Sequence, residues 1–128
     1  MEILFYNKHW EISVLEVSES FYLWLAHSEF SKLEASEKIL ILQEDERAEI
    51  DAVRLNEVSR SKYVSFFQKC ILKDSYELVQ KIESSNHPSI LKASSPSGSI
   101  QNLTYNIKKY YEFIKYIENI SNICMEYV

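Results

Sequence analysis

The sequence predicts an all-α protein: one compact bundle of four to six helices with a long C-terminal helix, and room for a short β-hairpin at the N-terminus. Three observations lead there. Residues 1–83 contain neither glycine nor proline, and neither do residues 99–128, whereas a chain of many strands needs turn residues at short intervals. Apolar residues recur at alternating spacings of three and four through residues 100–128, which is the period of a helix face. Pro88, Pro96 and the single glycine, Gly98, fall together with seven serines inside Ser84–Ser99, which reads as one long loop within a single domain spanning 1–128.

Taken in order, the first thirty or so residues admit two readings. Trp10, Ile12 and Val14 alternate with Glu11 and Ser13, and Asn7-Lys8 can turn a hairpin from Ile3 to Val14. Tyr6, Trp10, Val14, Val17, Phe21, Trp24 and Ser28 match a helical spacing over a longer window, and helix is preferred because an isolated hairpin needs cover. Ser31 with Glu34 forms a capping box, and Ser36 starts a short helix through Ile39 and Leu42. From Asp45 a longer helix follows, turning Ile50, Val53, Val58, Val64, Phe67 and Ile71 inward. Asp74 or Ser75 caps another short helix that buries Leu78, Val79 and Ile82. Ser99 caps the last one, which runs from Ile100 to Val128. Its second stripe, Phe113, Tyr116, Ile120, Ile123 and Tyr127, makes it apolar on two adjoining faces, so it is central in the domain or carries a homodimer or partner surface.

Charge narrows the function classes. Net charge is −5, but residues 1–60 hold 13 acidic and 6 basic side chains (−7) and residues 61–128 hold 6 acidic and 8 basic (+2). The three arginines all lie in the acidic half, so a direct nucleic-acid surface is not expected; a basic protein partner fits better. Nothing near the N-terminus reads as a signal peptide and no run approaches the roughly 20 apolar residues of a membrane span, so a soluble, cytoplasmic protein without membrane contact is expected.

No catalytic residue is expected, and no cofactor or metal. One glycine excludes phosphate-cradling loops and a GxSxG elbow. His9, His27 and His87 have no cysteine or carboxylate at ligand spacing, and no histidine follows an arginine closely enough to form an Arg–His nuclease pair. Glu46 and Glu49 lack the Glu-x-x-His companion of a carboxylate metal bundle. Cys70 and Cys124 read as two buried thiols. The most informative polar feature is the cluster Glu44, Asp45, Glu46, Glu49 and Asp51. It reads either as a solvated helix start, where carboxylates meet the positive end of the macrodipole, or as a recognition patch for a cationic protein.

The stretch Val17-Ser18-Glu19-Ser20-Phe21-Tyr22-Leu23-Trp24-Leu25 resembles the SFxxWL and SFxxFL segments of bacterial immunity proteins, including those paired with contact-dependent growth-inhibition toxins. The resemblance implies a cytosolic protein that binds the C-terminal nuclease domain of a toxin and blocks its active site or substrate path. Such a nuclease presents a positive surface to phosphates, and an acidic element competes for it. The alternative is an antitoxin or phage-type inhibitor of a nucleic-acid-handling defence complex, using the same acidic mimicry. An enzyme is the third possibility, and it would show a concave pocket with convergent titratable groups.

Overall fold

A computed structural model describes residues 1–43, 45–85 and 99–127. The chain forms β1 (Glu2–Asn7), β2 (Ile12–Glu16), α1 (Glu19–His27), one 3-10 turn (Glu29–Lys32), β3 (Glu37–Gln43), β4 (Glu46–Arg54), α2 (Glu57–Ser85), α3 (Ile100–Glu118) and β5 (Asn122–Tyr127). The strands lie in the order β2-β1-β5-β4-β3, and every pairing is antiparallel. The expected all-α bundle of four to six helices is therefore corrected: the described residues form a mixed α/β fold with a five-stranded sheet and three helices.

The glycine argument fails because this chain turns without glycine. Asn7 Oδ1 accepts the N–H groups of His9 and Glu11, both at 2.9 Å, and the Trp10 N–H donates to the Asn7 carbonyl. An asparagine side chain standing in for a backbone acceptor closes the turn, and Trp10 takes the left-handed conformation (φ 62°). Asp45 does the same between β3 and β4, with φ 66°. The N-terminal hairpin thus replaces the preferred helix over Tyr6–Val17, and helix begins only at Glu19. There Ser18 Oγ accepts the Phe21 N–H at 3.2 Å and the helix buries Phe21 and Leu25.

The short helix expected through Ile39 and Leu42, and the first part of the helix expected from Asp45, are the two strands of a hairpin. Seven consecutive pairs join them, from Glu37 opposite Ala52 to Gln43 opposite Glu46. The α2 helix starts instead at a reciprocal cap: Asn56 Oδ1 accepts the Ser59 N–H and Ser59 Oγ accepts the Asn56 N–H, each at 2.9 Å. It continues through Asp74 and Ser75, so no separate helix begins there. Ser84 and Ser85 end α2 and Ser99 caps α3; residues 86–98 of the expected loop lie outside the described residues.

Ser99 caps α3 as expected, its Oγ accepting the Asn102 N–H at 3.0 Å. The helix nevertheless stops at Glu118 and the chain returns as β5, the middle strand of the sheet. A central strand is apolar on both faces, and its pattern over a few residues matches a broad helical stripe. The helices cover one face of the sheet. Ile3, Phe5 and Met125 from the sheet meet Phe21, Phe67 and Phe113 from the helices, and the Phe67 and Phe113 rings stack at 4.7 Å. The opposite face has its own cluster of Tyr6, Ile39, Ile41, Ala52 and Cys124. Ile39 and Ile41 are only 3% and 4% exposed although they lie on an edge strand, because they pack in this cluster with Tyr6 and Cys124 of β1 and β5.

One arginine pins the layers together. The Arg60 guanidinium donates to the carbonyls of Ile117 and Asn119 at the end of α3, of Asn122 at the start of β5 and of Leu55 before α2. Burial lowers its pKa below the ordinary arginine value.

Candidate functional site

The acidic cluster singled out in the sequence lies on the β3–β4 hairpin. Asp45, Glu46, Glu49 and Asp51 are exposed there, and Glu44 lies outside the described residues. No helix start exists at this point, so the macrodipole plays no part in holding the charges. Strand geometry also divides them. Residues directly opposite share a face, so Glu49 stands with Leu40, Asp51 with Lys38, and Arg47 with Leu42, while Glu46 turns to the other side. Ile39, Ile41 and Ala52 hold the inner face against Tyr6 and Cys124, which leaves Lys38, Leu40, Leu42, Arg47, Glu49 and Asp51 exposed on the outward face of the hairpin, the side that Val53 continues into the core beneath the helices.

Two leucines at the centre of this outward face are 56% and 58% exposed, Leu40 and Leu42 respectively. Their exposure is the feature that sequence reasoning missed. The run Ile39-Leu40-Ile41-Leu42 has no polar member to mark its faces, and only the fold shows which half is covered. Residues 37–54 carry six acidic and three basic side chains, net −3. Two of the three cations are matched: Arg54 is ion-paired with Glu37, and Lys38 stands opposite Asp51. The acidic surplus therefore lies toward the turn, where residues 45–49 hold three acidic side chains, Asp45, Glu46 and Glu49, and one basic one, Arg47. An apolar centre beside a charged rim has the anatomy of a protein interface.

A cleft of about 580 Å³ lies between α1, α2 and α3, and its lining includes Trp24, Cys70, Lys73, Asp74, Asn106 and Tyr110. The Tyr110 hydroxyl donates to Asp74 Oδ2 at 2.8 Å. Burial raises the Asp74 carboxyl above its ordinary range, opposed by the Tyr110 hydrogen bond and the Lys73 charge and reinforced by Glu77. Burial and the neighbouring Asp74 charge push the Cys70 thiol up to about 11, and burial, the hydrogen bond to Asp74 and the Asp74 charge raise the Tyr110 hydroxyl. Thiol and phenol are therefore protonated near neutral pH, and the cleft presents hydrogen-bond donors beside a carboxylate rather than an ionised sulfur nucleophile. Neither His9 nor His27 lines it. Among the described residues no three His, Cys, Asp or Glu side chains converge to hold a metal ion, and no helix is long and apolar enough to cross a membrane.

The residues of the Val17–Leu25 stretch have folding roles here: Ser18 caps α1, Phe21 and Leu25 are buried, and Trp24 packs on Phe21 at 5.5 Å. No family model matches the chain, and no curated protein or solved structure matches it either.

Proposed function

We propose that the chain is an immunity protein, binding a basic nuclease toxin domain through the turn end of the β3–β4 hairpin and blocking that domain's active site or substrate path. One observation carries the reading: Leu40 and Leu42 stand exposed on the same hairpin face as Glu49 and Asp51, beside an uncompensated acidic turn. The acidic turn steers a cationic partner into contact, and the leucines supply the desolvated centre that slows its release. The partner is a toxin C-terminal domain, with no direct nucleic-acid or membrane contact, and the protein acts in the cytoplasm without chemistry of its own.

The test is capture of the toxin domain encoded by the neighbouring gene, followed by salt titration. Binding weakens steeply with salt, and Glu49→Lys and Leu40→Ser each raise the Kd at least about tenfold. Glu46→Lys, on the other face of the hairpin, changes it less. Equal binding by wild type, Glu49→Lys and Leu40→Ser would remove the hairpin from the interface.

A further inference from the structure

The sheet has two edges, and they are built differently. The β2 edge is five residues long and follows the left-handed Trp10. The β3 edge is seven residues long, pairs in the sheet with β4 alone, and keeps an uninterrupted register with it. Open edges are ordinarily blunted by proline, bulges or inward charges. β3 has no proline and no bulge, and its charges are confined to Glu37 and Lys38 at one end. Its middle is Ile39-Leu40-Ile41-Leu42, with outward backbone groups at alternate residues available to another strand.

We infer that this edge is a dimer interface, with β3 of a second copy pairing antiparallel to it about a two-fold axis through Leu40. That axis, perpendicular to the sheet, sets Leu40 against its own copy, Ile39 against Ile41, Lys38 against Leu42 and Glu37 against Gln43. All seven residues of the strand are used and no like charges are opposed. A parallel arrangement in register would instead place Glu37 beside Glu37 and Lys38 beside Lys38. Charge on the outward face permits the approach although the whole chain is at −5: Lys38 and Arg47 balance Glu49 and Asp51 in each copy. Glu49 and its copy stand three strand spacings apart, roughly 14 Å, beyond the screening length at physiological salt.

The two sheets become one of ten strands. An isologous contact of this kind closes at two copies, since each copy has a single β3. Side chains stand perpendicular to a sheet, so pairing at the edge leaves the outward face and the acidic turn open, and the dimer holds whether or not the proposed toxin partner is correct.

Leu40 facing its own copy makes the register testable. Wild-type protein is a dimer by sedimentation velocity at about 0.1 mM, where contacts of modest affinity are populated. Leu40→Lys and Leu40→Glu each place like charges face to face and raise the dimer dissociation constant at least about tenfold. An equimolar mixture of the two regains the dimer, because lysine then meets glutamate across the axis. Circular dichroism checks that both variants keep the wild-type fold, as expected for a side chain 56% exposed. A wild-type monomer at that concentration overturns the inference, as does a mixture that stays monomeric or a pair of variants that dimerise as well as wild type. A variant that misfolds leaves the wild-type measurement to decide, together with the mirror test Leu42→Glu. That variant pairs with the opposed Lys38 and strengthens the dimer; weakening it refutes the register.

Discussion

Replacing Arg60 by alanine removes the side chain that ties α2 to the junction of α3 and β5. The guanidinium donates to four backbone carbonyls on three segments: Leu55, the pair Ile117 and Asn119, and Asn122. Hydrogen bonds to a charged donor contribute about 1.5–3 kcal/mol each, so a simple sum would reach roughly 6–12 kcal/mol. That sum is too large. Carbonyls have a second lone pair, and those near the surface are rehydrated once the arginine is gone. An expected loss of about 3 kcal/mol follows, most of it from carbonyls that water cannot reach. For a chain of this length the loss lowers Tm by roughly 12 °C. Arg60→Lys keeps the charge near the C-terminal end of α3 but concentrates its donors on one nitrogen that cannot span three segments, so it recovers less than half of the loss. Urea unfolding followed by tryptophan fluorescence, with hydrogen exchange of the β5 amides, measures both variants. A loss below about 1 kcal/mol for Arg60→Ala, or a lysine variant as stable as wild type, would refute the idea that the fork geometry holds the junction.

Three further outcomes are expected. Ser59→Ala removes a hydroxyl that accepts from Asn56 and donates to the Arg54 carbonyl inside the protein, and costs about 1–2 kcal/mol in urea unfolding. The Asp74 carboxyl has a raised pKa, so the native state holds its proton more tightly than the unfolded chain; stability is lost as pH rises from the ordinary carboxylate range through the raised value. Asp74→Asn keeps an acceptor for Tyr110 and removes that loss, so its stability relative to wild type increases between pH 4 and pH 7, and a flat difference would contradict the assigned cause. The Cys124 thiol, 1% exposed and pushed up to about 11 by burial, reacts with a disulfide reagent at neutral pH only at the rate of unfolding, and prompt labelling of Cys124 in the native protein would show that the hairpin does not cover it.

Local chemistry was legible where a side chain and its own backbone neighbours decide the outcome. The Ser99 cap, the apolar face of α3 as far as Ile117 and the burial of Phe21 and Phe67 follow from residues close together in the chain, whereas Val53 is buried from a strand rather than a helix and Val58, expected inward with it, is 63% exposed. The acidic cluster was legible as a cluster. Its arrangement was not. Glu46 and Glu49 are three apart, which puts them on one face of a helix and on opposite faces of a strand, and the choice between those periods depends on what the segment packs against.

The same limit explains the two largest corrections. Ile39–Leu42 and Asn122–Tyr127 are apolar without a decisive period, so their own residues do not distinguish a buried strand from one side of a helix. Only the assembled sheet distinguishes them: β5 fits between β1 and β4, and β3 follows because Ile39 and Ile41 gain cover from Tyr6 and Cys124, residues distant in sequence. Composition thus determined size, charge and the lack of glycine-built phosphate loops. Tertiary contacts decided which apolar runs became strands and left Leu40 and Leu42 at the surface, because burial is a property of neighbours that the chain meets only when folded.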